Sequence, residues 1–383
     1  MKQATILQIL PRLRTGGVER GTIEIAAAIV KAGGRAIVAS SGGELVSSLA
    51  YVGGEHITLP LASKNPFTIF ANASKLAKVI KDEQVDIIHA RSRAPAWSAY
   101  IAAQKTKTPF VTTFHGVYGI KPEFKKSYNQ VMTKGDRVIA ISNFIAEHIK
   151  ANYQIDQKIL RIIHRGVDLE VFNQDKIRRQ VMIDLAKNWR LPDGLPIILM
   201  PGRITSWKGQ HIVVEALAKL PHRNFCCILL GDDAGHPEYR KRVEQLIIKL
   251  GLEGKVRIVG NTSSMPEAYM LADLVLSPSI DPEAFGRVPV EAQAMGRIIV
   301  ASNHGGACET VTHGQTGFLV TPNDSQDLSN TINHILNMQS DQKEFIAEQA
   351  MSAVRENFSA YVMCKKTLQV YQELIGSEQW KEF

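Results

Sequence analysis

Cysteine is scarce in this sequence, with four in 383 residues. Cys226 and Cys227 are adjacent while Cys308 and Cys364 stand apart, which suits neither a disulfide framework nor a zinc site. A reducing cytoplasm is the setting this implies. No run of 18 or more apolar residues occurs, so no transmembrane helix is expected. The opening MKQATILQILPRLR has an apolar stretch too short for a secretory leader, and it reads as a first buried strand. Asp-x-Asp is missing, and His89, His115, His164 and His211 are too scattered for a ligand set, so no metal is expected. The Gly-x-Gly-x-x-Gly fingerprint is missing too, which disfavours a nicotinamide dehydrogenase. Helix-turn-helix, zinc-finger and RNP-type signatures are absent, and nucleic acid is not an expected partner. There is no low-complexity segment.

What is present is an ordinary globular composition, 45% hydrophobic and 21% charged, on a chain long enough for two domains. The net charge of +8 is uneven. Residues 1–165 hold 23 Lys and Arg against 11 Asp and Glu, a balance of +12, and the rest hold 22 against 26, a balance of −4. A basic first half suits a polyanionic partner or an anionic membrane surface, and equally a set of solvated lysines.

Short Ile- and Val-rich runs alternate with helical patterns along the chain. ATILQIL, RAIVAS, VDIIHA, PFVTTF and RVIAIS are strand-like in the first half. PIILMPG, FCCILLG, VRIVG, LVLSPS, RIIVAS and GFLV repeat the scheme in the second. Apolar strands separated by helices predict parallel sheets covered on both faces. The expected fold is α/β, two doubly wound Rossmann-like domains facing across a cleft. Residues 1–175 form the first and 190–358 the second, with a break near 170–195 punctuated by LPDGLP. Residues 359–383 hold a last helix that packs back on the first domain.

The most specific chemical pattern is PEAFGRVPVEAQAMG, with Glu283 and Glu291 eight positions apart. A helix starting near Pro289 presents its amino end to an anion, helped by the N–H groups around Phe285 and Gly286. Glu283 can accept from sugar hydroxyls and Glu291 from a ribose diol; the alternative is a helix-end carboxylate and a solvated Glu. Arg203 and Lys208 in PGRITSWKGQ follow a strand and can neutralise a departing diphosphate, or are surface cations. Gly16 and Gly17 allow a close ligand approach or make a plain strand-to-helix turn. His115, at the end of VTTFHG, can meet a sugar or be structural.

Together these segments, with IAISNFIAEHI, HRGVDLEVF and SNHGGACETVTHGQTGFLV, resemble the family 4 retaining glycosyltransferases of GT-B fold over nearly the whole chain. The resemblance implies a second domain that holds a nucleotide diphosphate sugar, a GDP- or UDP-sugar, and no cofactor. It assigns Arg203 and Lys208 to the diphosphate, Glu291 to the ribose and Glu283 to the hexose. Phe285 and Gly286 help through backbone, Gly260 and Asn261 hold the base, and Gly16, Gly17 and His115 reach the donor from the first domain. Glu283, His115, Arg203 and Lys208 are the catalytic candidates. Cys308 departs from the Pro that relatives often carry. HARSRAPAWSAY, FHGVYGIK and YNQVMTKGDRVIAIS look like bacterial lipopolysaccharide core transferases, mannosyltransferases among them. Arg91, Arg93, Lys121, Lys125 and Lys126 would then meet a glycan or anionic lipid-linked acceptor. The expected activity is metal-independent hexose transfer with retention. A nucleotide-sugar epimerase of the same fold and a non-catalytic nucleotide-sugar-binding protein are the alternatives.

Overall fold

The computed structural model describes residues 3–14, 16–233, 235–376 and Trp380. The chain divides into two units, Met1–Gly166 with Ala360–Phe383, and Val167–Ser359. Each is an all-parallel sheet flanked by helices.

In the first unit the strands are β1 (Thr5–Ile9), β2 (Arg35–Ser40), β3 (Glu55–Thr58), β4 (Ile87–Ala90), β5 (Phe110–Phe114), β6 (Arg137–Ala140) and β7 (Leu160–Ile162). Their order across the sheet is β3-β2-β1-β4-β5-β6-β7. β1 is central, with Ile6 opposite Ala36 on one side and Ile87 on the other. Every residue of β1 is buried, as a strand covered on both faces requires. Ile6, Leu7 and Ile9 are fully buried, and each such side chain contributes about 1.5–3 kcal/mol of transfer free energy. The helix Ala360–Ile375 belongs to this unit, burying Leu368, Val370 and Tyr371 in the same core as Ile6, Ile29 and Val38.

In the second unit the strands are β8 (Ile197–Pro201), β9 (Cys226–Leu230), β10 (Val256–Val259), β11 (Leu274–Ser277), β12 (Ile298–Ser302) and β13 (Phe318–Val320), in the order β10-β9-β8-β11-β12-β13. The strands expected from the apolar runs are all present. β3 and β7 were not expected: EHIT and LRI are short edge strands with exposed or half-buried residues and carry no apolar run.

Parallel strands deliver their following loops to one edge. The order reverses between β1 and β4 in the first unit and between β8 and β11 in the second, and crevices at such reversals are where open α/β sheets bind ligands.

Candidate active site

In the second unit, Lys208 follows β8 and Glu283 follows β11, so the reversal in strand order brings them together. Lys208 Nζ lies 2.7 Å from Glu283 Oε1, with side chains only 13% and 16% exposed. Ser279 Oγ donates to the same carboxylate oxygen at 2.5 Å. Lys208 also sits 4.4 Å above the Trp207 ring, an attraction that does not consume its other protons. The loop is held from both ends: Ile280 N donates to Trp207 O at 2.7 Å, and Gln210 Nε2 donates to the Arg203 carbonyl at 2.9 Å. Gly209, at φ +83°, passes so near Pro278 O that a Cβ there would collide with it. Arg203, five residues before Lys208 on the same loop after β8, is exposed.

Gly286, at φ +83°, precedes the helix Arg287–Ala294 and no side chain caps that helix. The helix begins two residues before Pro289, which therefore occupies its first turn, where its missing N–H costs little. Phe285 is 2% exposed and its ring packs at 6.0 Å from Phe358, so a ligand would meet its backbone rather than its ring. Glu291 is 9% exposed and doubly held, by Tyr269 hydroxyl at 3.0 Å and by Arg287 Nη2 at 3.0 Å. Burial, with the Glu291 charge beside it, raises the Tyr269 phenol well above its ordinary range and keeps it a donor. Gly260 and Asn261 follow β10, and the Asn261 amide pairs with the Asp232 carboxylate and, through Oδ1, accepts from Asp232 N at 3.1 Å.

In the first unit, His115 directly follows β5, and its Nδ1 lies 3.1 Å from Arg165 Nη1. Arg165 Nη2 donates to Gly17 O, which ties the Gly16–Gly17 turn to the same guanidinium. Burial first, then the charges of Arg91, Arg165 and His89, hold His115 well below the usual histidine range. Arg91 corrects an expectation. It is 3% exposed, with Nη1 at 3.4 Å from Gln8 Oε1, so it lies inside the unit and not on a face an acceptor could touch. Arg93 stacks 4.3 Å over Tyr118 and donates to Asn129 Oδ1 at 3.0 Å. It lines a cavity with Lys64, Phe124, Lys125 and Tyr128; Lys121 and Lys126 are exposed.

Ser279, Tyr269, Gln210 and Arg165 were missed in the sequence. The first three are uncharged partners of the charged candidates and leave no motif of their own. Arg165 stands in HRGVD but meets His115 and Gly17 only after folding. Among the described residues no cluster of three or more His, Cys, Asp or Glu could hold a metal ion.

Two parallel α/β units with these strand orders, and charged loops at the strand reversal, place the chain in the GT-B class. Residues 15–171 match the family model described as Glycosyltransferase Family 4, and residues 182–351 match that of glycosyl transferases group 1. A solved glycosyltransferase from Rickettsia africae ESF-5 is 44% identical, over 99% of this chain and 100% of that one, with a TM-score of 0.92. Anabaena HepE, solved with UDP-glucose, is 26% identical over 97% of this chain and 100% of that one, with a TM-score of 0.82. The N-acetyl-alpha-D-glucosaminyl L-malate synthase of Bacillus anthracis is 27% identical over 321 residues, 81% of this chain and 80% of that protein. The chain belongs to the family 4, group 1 glycosyltransferases and is an enzyme of that type.

Proposed function

We propose that the enzyme moves a hexose of glucose or mannose type from a UDP- or GDP-sugar to a glycan or lipid-linked acceptor, with retention and without a bound metal. The observation that carries this reading is the Lys208–Glu283 contact at 2.7 Å, backed by Ser279, with Arg203 exposed on the same loop as Lys208. It sets a cation for the diphosphate next to a carboxylate for sugar hydroxyls. In the reaction the C1–O bond to the diphosphate breaks, the acceptor hydroxyl oxygen bonds to C1 on the same face, and the hydroxyl proton passes to an oxygen of the leaving diphosphate. Negative charge builds on the leaving diphosphate, and Lys208 and Arg203 stabilise it more than they stabilise the intact donor. The amino end of the helix Arg287–Ala294 adds uncapped donors. Glu291, held by Tyr269 and Arg287, is oriented to accept from the ribose diol. A UDP-glucose complex of the similar HepE supports a uridine donor.

The acceptor is assigned to the first unit. The cavity beside Arg93, Lys64 and Lys125 offers cations with the apolar faces of Phe124 and Tyr128. Phe67, Phe70 and Phe124 are 86%, 63% and 69% exposed in this basic half, a combination suited to an anionic lipid surface. No described helix is long and apolar enough to cross a membrane, so such association would be peripheral. A lipopolysaccharide core sugar as acceptor rests on the sequence resemblance alone.

A thermal-shift panel of UDP-glucose, GDP-mannose and an ADP-sugar tests the reading. Binding at about 100 times Kd stabilises by about 2.7 kcal/mol. One of the three should raise the melting temperature and the others should not; no response to any of them contradicts a nucleotide-sugar site.

A further inference from the structure

We propose that Arg165 is a positioning residue that fixes His115 as a neutral imidazole with its proton on Nε2, ready to donate to an oxygen of the substrate. Arg165 lies just past β7, is 8% exposed, and reaches two segments at once. Its Nη1 is 3.1 Å from His115 Nδ1 and its Nη2 donates to Gly17 O. A guanidinium has donors and no acceptor. Nδ1 must therefore accept, and the single proton of a neutral ring is left on Nε2. That nitrogen is buried and has no partner among the described residues. A buried donor without a partner is rare in native structures, and here it is the group a ligand oxygen would satisfy.

The surroundings favour the neutral ring. Arg91, on the loop after β4, and His89, on β4, face the same region as Arg165. The helix Gly17–Lys31 contributes Glu19 and Glu24, whose charges act on Arg91, and the helix Ala360–Ile375 contributes Tyr371 and Cys364. The Tyr118 phenol hydrogen-bonds the backbone of His115, not its ring. His89 has both ring nitrogens engaged, Nδ1 at 2.7 Å from Tyr371 hydroxyl and Nε2 at 2.7 Å from Thr113 Oγ1. Space for the guanidinium is built in: a Cβ at Gly21 would lie 3.0 Å from Arg165 Nη2 and 3.3 Å from Arg91 Nη2. With its Nδ1 lone pair engaged and Nε2 protonated, His115 serves as a donor and has no free lone pair to act as a base.

The identity of the oxygen it meets rests on the nucleotide-sugar reading; the tautomer does not. The test is long-range proton–nitrogen NMR on the full chain labelled with nitrogen-15 histidine, with His115→Gln assigning the signal among 11 histidines. In the wild type, His115 should show a protonated Nε2, a bare Nδ1 and no titration near the ordinary value of about 6.5. Arg165→Met should mix the two tautomers and move the titration up toward that value, and Arg165→Lys should restore part of the single tautomer. A proton on Nδ1 in the wild type, an ordinary titration there, or an Arg165→Met spectrum matching the wild type overturns the proposal. Should Arg165→Met not fold, the wild-type spectrum decides alone. None of these readouts uses turnover, so a wrong donor assignment would leave them intact.

Discussion

Lys208 and Glu283 are 75 residues apart in sequence and 2.7 Å apart in space, joined where the strand order reverses between β8 and β11. In the proposed reaction their pairing prepositions a cation that does not need to reorganise when the diphosphate departs. Lys208→Ala should lower kcat by about 10²–10³-fold, or about 2.7–4 kcal/mol, the loss seen when one preorganised donor to a developing anion is removed. The melting temperature and circular dichroism should stay close to wild type. An unchanged kcat with donor saturating would remove Lys208 from the charge-stabilising role.

Tyr269 hydroxyl donates to Glu291 at 3.0 Å from a buried position. Tyr269→Phe keeps the packing and the Arg287 contact but loses a hydrogen bond to a charged group, worth about 1.5–3 kcal/mol. That bond is already made in the donor-free protein, so its loss lowers stability, and donor affinity should weaken because Glu291 is no longer held in one orientation. Isothermal titration measures it, and kcat at saturating donor should change little. A kcat loss without an affinity loss would show that Glu291 does not hold the ribose.

His89 and His115 are both held well below the ordinary histidine range, chiefly by burial. In the unfolded chain each takes up a proton as pH falls through about 6.5, while in the folded state each stays neutral. Stability is therefore full above that value and falls below it, by up to about 1.4 kcal/mol per pH unit for each ring. His56, His148 and His211 are shifted down by burial as well and add to the same slope. The urea midpoint should drop from pH 7 to pH 5, and His115→Gln should flatten the drop. A midpoint independent of pH across this window contradicts buried neutral imidazoles.

How much of this was legible beforehand follows from physics. Apolar runs such as ATILQIL and PIILMPG announce strands because a doubly covered strand must be apolar throughout. β3 and β7 escaped because edge strands are only partly covered. The charged candidates Lys208 and Glu283 could be placed at one sheet edge from their positions after strands, since parallel topology fixes which edge those loops occupy. Arg91 misled because its charge argues for a surface, whereas the first unit buries it against Gln8. Arg165 could not be read at all, since its role depends on a loop after β7 reaching the loop after β5.

The basic half and its exposed phenylalanines predict binding to vesicles that carry anionic lipid. The protein should pellet with them at about 0.05 M salt and release at about 0.5 M, because screening lengths shorten well below 10 Å. Phe67→Ser with Phe70→Ser should weaken the low-salt binding. Equal recovery in the supernatant at both salt concentrations argues against a membrane-facing surface.

In the proposed mechanism the second unit grips a sugar-linked diphosphate with Lys208, Arg203 and the amino end of the helix Arg287–Ala294. A crystal structure of the full chain with the nucleotide sugar that scores in the thermal-shift panel measures this directly. Diphosphate oxygens within hydrogen-bond reach of Lys208 Nζ and the Arg203 guanidinium, with the hexose against Glu283, are the predicted result. A bound nucleotide sugar whose phosphates touch neither cation contradicts it.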